Sequence, residues 1–295
     1  MTGFLAELGK KLAERWLELL VLPGALWVAA TVAGGYLGHA HAVDVPLLRA
    51  RLDQQAAQSR SAATLLLLVV AFLLVSAAAG LLASALGGLV ERAHALVGHY
   101  GAPRQLRDVR IGLWRRADRC YRRALAAAAR ATSPRVRRAA NRRVFRALAR
   151  RQHLGDAMPT RPTWVADRFA AADSHLDTKY GVTPTVVWPR LWTLLPDALR
   201  ADLGTARDAY SAGCRLIGWG VLYLLLGCAW WPALAVGAVA VVTGSVRSRS
   251  AARTLAELTV TAVDLHLADL AEHLGLSTIR PPDRAVGEWI MNALR

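Results

Sequence analysis

Residues 216–246 read LIGWGVLYLLLGCAWWPALAVGAVAVVTGSV, 31 consecutive positions without Asp, Glu, Lys or Arg, bracketed by Arg215 and Arg247. A membrane helix needs about 20 predominantly apolar residues. As one straight helix this run would reach about 46 Å, against a hydrocarbon core of roughly 30 Å. Its middle holds Trp230-Trp231-Pro232. Proline removes a helical hydrogen bond and its ring collides with the preceding turn, and tryptophan favours the membrane–water boundary. The run is therefore expected to form a tight hairpin turned at Trp230, Trp231 and Pro232, with arms Cys214–Ala229 and Pro232–Val246. Its rival is a single kinked, tilted span.

Two more uncharged runs lie upstream, residues 19–43 and 61–90, of 25 and 30 residues. The first gives a span over Leu17–Leu37. Ahead of it, Phe4, Leu5, Leu8, Leu12 and Trp16 fall at helical spacing, which predicts an amphipathic lead-in along the cytoplasmic surface. Ala40-His41-Ala42 has the form of a signal-cleavage site. However, Glu7 and Glu14 interrupt the basic leader, and the apolar run exceeds the roughly 7–15 residues of a signal core, so a retained helix is expected. The second run, Ala62–Val90, places Ser76, Gly80, Ser84 and Gly88 at steps of four. Small residues one turn apart let a neighbouring helix come close, within the chain or between copies.

Charge gives the orientation. The chain has 37 basic and 21 acidic residues among 295, and 54% of it is apolar. That pairing excludes a disordered chain, a disulfide miniprotein and a soluble enzyme with a mixed-charge surface. The basic surplus concentrates in residues 91–212, which hold 24 basic and 10 acidic residues. Lys and Arg mark the cytoplasmic side of a span, so this segment lies inside, the N-terminus inside and residues 38–60 outside. With the hairpin, residues 247–295 return inside, where Arg247, Arg249 and Arg253 obey the same rule. A single span would put those three arginines outside.

Residues 104–151 contain 17 arginines and two acids, Asp108 and Asp118. Two helices fit, about Gln105–Ala131 and a second opened by Ser133-Pro134, with proline in its first turn. Arg137, Arg138, Arg142, Arg143 and Arg146 cover the second helix outside an apolar face of Val136, Ala140, Val144, Phe145 and Leu148. Such a surface suits anionic lipid headgroups or an acidic protein partner. Nucleic acid is the least favoured partner, because interleaved aromatics and a recognisable module are missing. Downstream, Thr163–Lys179 is expected to be helical, and Thr185-Val186-Val187 a short extended piece before Pro189. Trp188, Arg190 and Trp192 suit an interfacial anchor, an interaction hot spot or a packed bend. A helix from Asp197 is expected to run on into the third uncharged run. The tail predicts a helix over Ala251–Leu274 capped by Gly275, then a short one over Ala285–Leu294.

Catalytic signatures are sparse. The chain has no phosphate-loop, nucleophile-elbow, HExxH or CxxC pattern, and Cys120, Cys214 and Cys228 stand apart in sequence. His39, His41 and Asp44 are the one weak metal-ligand candidate, short of a full ligand set. No cofactor is implied. The expectation is an all-α integral membrane protein of a bacterial-type cytoplasmic membrane, with four transmembrane helices as two hairpins and a cytoplasmic helical insert between them. Its segments are 1–90, 91–212, 213–246 and 247–295, and both termini are cytoplasmic. The first functional reading is a non-enzymatic scaffold or effector that self-associates as a homo-oligomer and receives a cytoplasmic protein partner. A channel or permeabilising effector is the alternative. A membrane enzyme is third, since no nucleophile, acid–base pair or metal set converges.

Overall fold

The computed structural model describes residues 7, 21–58, 61–98, 101–155, 157–276 and 282–294. The expected lead-in Phe4–Trp16 and the first turns of the Leu17–Leu37 span lie outside them, apart from Glu7. All regular structure among the described residues is helical, with no strand. The helices are α1 (Leu22–Leu37), α2 (Val45–Gln58), α3 (Ala62–His94), α4 (Gly101–Ala129), α5 (Pro134–Leu154), α6 (Trp164–Tyr180), α7 (Pro184–Leu194), α8 (Asp197–Leu226), α9 (Pro232–His273) and α10 (Arg284–Ala293).

Two of these, Ala63–His94 and Asp197–Leu226, are long and apolar enough to cross a membrane; α1 is apolar but has 16 described residues. The chain divides into two compact units, Met1–Glu91 with Ser211–Ser248, and Arg92–Tyr210 with Arg249–Arg295. Charge divides with them: the second unit holds 29 basic and 15 acidic residues, the first eight and six.

Small residues bring the helices of the first unit together. A Cβ on Gly24 of α1 would lie 2.0 Å from the Ser76 carbonyl oxygen of α3. Likewise a Cβ on Gly218 of α8 would lie 2.3 Å from the Ala83 carbonyl oxygen, and one on Gly87 2.8 Å from the Arg215 Cα. Between α8 and α9 the approach repeats every seven residues. Gly213 meets Ser248, Gly220 meets Val241, and Gly227 meets Leu234, while Gly237 and Gly244 return the contact to Leu224 and Ile217. The falling numbers on α9 against rising ones on α8 define an antiparallel hairpin. Its turn spans residues 227–231, and Pro232 opens α9. The Trp230 indole donates to the Ala42 carbonyl at 2.8 Å, and the His39 ring pairs with the Cys228 carbonyl at 2.8 Å. The connection after α1 and the hairpin turn therefore lie at one end of this unit.

The second unit has an apolar core of its own. Leu176, Val182, Val187, Leu191, Leu195, Val263, Leu267 and Ile290 are buried together, joining α6, α7 and the second-unit parts of α8 and α9 to α10. Helix starts follow their caps: Ser133, Thr163 and Asp283 accept from Val136, Ala166 and Val286. Gly181, at φ +67°, ends α6 in the left-handed conformation that favours glycine.

Three sequence expectations need correction. Thr185-Val186-Val187 is not extended: Pro184 opens α7 and the segment is helical to Leu194. Val187 and Leu191, one turn apart, are both buried in the core, and that burial overrides the β-branched residues and the pre-proline bias. The tail helix does not begin near Ala251, because α9 runs unbroken for 42 residues from Pro232. The outgoing hairpin arm ends at Leu226, not Ala229.

Candidate functional site

The largest chemical contrast is between the surfaces of the two units. In α3, every residue from Leu65 to Val70 is exposed, as are Phe72, Leu73, Leu74 and Val75. Only 17% of the helix's most apolar stretch is buried. Six consecutive exposed positions cover every face of a helix, so no packing among the described residues accounts for them. Burying a leucine side chain is worth roughly 1.5–3 kcal/mol. Leaving Leu65, Leu66, Leu67, Leu68, Leu73 and Leu74 in water would forgo on the order of 10 kcal/mol, comparable with the whole stability of a domain. On α9, Val236, Val239, Val242 and Val246 are exposed at steps of three and four, an apolar stripe on one helix face.

Of the positions expected to pack, Ser76 and Gly80 are buried, Ser84 is half-buried, and Gly88 is exposed with open space around it. The close residue beside Gly88 is Gly87. The glycines of the α8–α9 hairpin were missed by the sequence reading, although their seven-residue spacing at 213, 220 and 227, and at 237 and 244, is visible in the sequence.

His39, His41 and Asp44 do not form a ligand set. His39 is turned to the Cys228 carbonyl. Asp44 accepts from the Leu47 amide at 3.0 Å and so caps α2, with His41 at 4.0 Å from it. Among the described residues no three His, Cys, Asp or Glu side chains gather as for a metal ion.

In the second unit, some arginines are structural. Arg110 donates to the carboxylate of Asp167 and to the carbonyls of Arg161 (3.0 Å) and Leu154 (2.7 Å). Asp167 also accepts from the Thr160 and Arg161 amides at 2.9 and 2.8 Å. Asp118, itself buried, pairs with Arg122 at 2.7 Å and Arg151 at 3.3 Å. The Arg151 guanidinium lies over the rings of Trp114 and Tyr121. Lys179 and Tyr180 both reach Asp264, at 3.1 and 2.8 Å. Lys179 is held above its ordinary pKa by its hydrogen bonds to Tyr180 and Asp264; burial raises Tyr180.

Other arginines face outward. No residue of α5 is buried. Arg138, Arg142, Arg143 and Arg146 are exposed, while Arg137 reaches back to the Ala131 carbonyl at 3.4 Å. Trp188 packs in part against the second unit's core. Trp192 is 36% exposed, with its ring 6.0 Å from that of Trp188. The exposed Arg190 is hydrogen-bonded within its own helix to Val186. Comparison with protein families, curated proteins and solved structures finds no match. The class is thus defined by the chain's own features: an all-helical protein with one unit of uncovered apolar helix and one of arginine surface.

Proposed function

We propose that the chain is a multi-pass protein of a bacterial-type cytoplasmic membrane and acts as a non-enzymatic scaffold or effector. Its first unit sits in the bilayer and its second unit receives partners on the cytoplasmic side. The observation that carries this reading is α3, whose leucines and valines are exposed on every face; hydrocarbon or another copy of the chain is the surrounding that suits them. Four spans are proposed, α1, α3 and the first-unit parts of α8 and α9. Their antiparallel packing supports this, as does the shared end of residues 38–42 and 227–231. Arg92, Arg215 and Arg247 bound the three apolar segments toward the second unit in sequence, as cytoplasmic flanks do. The exposed arginines of α4 and α5 suit anionic headgroups or an acidic partner protein.

Two experiments test it. A tag at Arg295 is expected to be protected inside the cell; an external tag rejects the four-span arrangement. Purified protein in liposomes is expected to pass no ions; robust flux would replace the scaffold with the channel.

A further inference from the structure

Between α4 and α5 lies a cleft of about 420 Å³, within the roughly 300–1,000 Å³ common for small-molecule sites. Four arginines line it, Arg116 from α4 and Arg143, Arg146 and Arg150 from α5, with no acidic residue among the lining. The two acids of residues 104–151 are committed elsewhere. Asp108 pairs with Arg104 and Arg107, and Asp118 with Arg122 and Arg151. Arg110, Arg151 and Arg168 of this unit each meet a carboxylate; among the described residues that line this cleft there is none. Like charges gathered without a counterion repel, and an anion relieves that repulsion.

The floor is made of Ala117, Cys120 and Ala124 of α4 and Ala147 of α5. Ala117, Cys120 and Ala124 follow one helix face at steps of three and four. These small side chains leave the space open, although the same helix spends Leu113 and Leu125 on exposed positions. An apolar floor under a rim of planar, multidentate donors fits a ligand with a compact body and a phosphate group, because the guanidinium fork matches phosphate oxygens.

We propose that the cleft between α4 and α5, rimmed by Arg116, Arg143, Arg146 and Arg150, binds a small phosphate-bearing ligand, a phosphate monoester or pyrophosphate with at least two negative charges. The site goes beyond the membrane reading and does not depend on which helices cross a bilayer.

Cys120 provides the readout. It is exposed on the cleft floor, Cys214 is buried, and Cys228 is the other exposed thiol. In the detergent-purified full chain carrying Cys228→Ser, maleimide labelling of Cys120 is followed with pyrophosphate or glycerol 3-phosphate present. Labelling is expected to slow at least tenfold at saturation. Arg143→Gln/Arg146→Gln, and separately Arg116→Gln from the other wall, are expected to abolish or sharply reduce the protection. Arg138→Gln/Arg142→Gln, on exposed α5 positions outside the cleft, is expected to keep it. Vesicles containing phosphatidic acid form a second arm: protection there as well assigns a lipid headgroup, and protection by the soluble compounds alone assigns a free phosphate ester. The proposal is overturned by absent protection, by equal protection from sulfate at matched ionic strength, or by protection that survives Arg143→Gln/Arg146→Gln. Protection by an oligonucleotide or acidic peptide but not by pyrophosphate overturns it too.

Discussion

Gly87 and Gly88 are neighbours on α3, yet alanine at each is expected to act with opposite sign. A Cβ on Gly87 would lie 2.8 Å from the Arg215 Cα and 3.0 Å from its nitrogen, whereas one on Gly88 meets nothing within 4 Å. Carbon atoms pack at about 3.5–4.0 Å, so Gly87→Ala is too tight by roughly 1 Å. The obstacle is backbone, so no rotamer change relieves it and α3 and α8 must part. Overpacking of this kind costs about 1–3 kcal/mol, and a gap of 0.5–1 Å forfeits roughly a quarter to a half of the contact energy around it. Against that stands the gain from replacing glycine in a helix, up to about 1 kcal/mol. Gly87→Ala is therefore expected to lose about 1–2 kcal/mol. Gly88→Ala keeps the gain without the clash and is neutral or stabilising. Reversible unfolding in mixed detergent micelles, followed by circular dichroism and tryptophan fluorescence, measures both. If the two variants shift stability alike, or if Gly88→Ala is the more damaging, the α3–α8 contact is wrong.

Three further outcomes follow from the site geometry. Arg110→Ala is expected to cost about 2–3 kcal/mol in the second unit, because Asp167 and two carbonyls lose one shared donor; Arg110→Lys recovers only part, and thermal unfolding of both variants checks this. Lys179 and Tyr180 hold their protons more tightly when folded than unfolded. The stability they contribute is complete below about pH 10 and lost as pH rises beyond it. Tyr180→Phe should flatten the alkaline limb of the unfolding curve, and an unchanged limb would contradict the burial that holds the Tyr180 proton. The Ser76 hydroxyl is fully buried without a hydrogen-bond partner among the described residues, so Ser76→Ala is expected to be neutral or stabilising; a loss above about 1 kcal/mol in the same micelle assay would contradict that environment.

How much was legible depended on how local the signal was. Ser133-Pro134 and Thr163 placed the starts of α5 and α6 because a cap acts within one turn. The start of α8 was readable from Pro196-Asp197, and its continuation from the lack of any proline before Pro232. The break expected between Val246 and Ala251 was a charge boundary, not a helix boundary, since arginine is a good helix former. The strict step of four used for Ser76, Gly80, Ser84 and Gly88 drifts by about 40° per step on a helix of 3.6 residues per turn, about 120° by Gly88. Gly87, eleven residues from Ser76, returns to within about 20° of it. The arginine cleft was hidden for another reason: Arg116 and Arg143 are 27 positions apart, and only the docking of α4 on α5 makes them neighbours.

The glycine contacts of the α8–α9 hairpin carry a thermal consequence. In a bilayer, helices gain nothing from leaving water for one another, and cohesion comes from contact at short range. Separating such a hairpin inside lipid exposes little apolar surface to water, so its heat-capacity change is small and its stability falls almost linearly with temperature. On the proposed arrangement the second unit faces water, and its core of leucine, valine and isoleucine would give it the large positive heat-capacity change of an aqueous domain, weakening it on strong cooling as well as on heating. Cold and heat would therefore select different halves of one chain as the first to open.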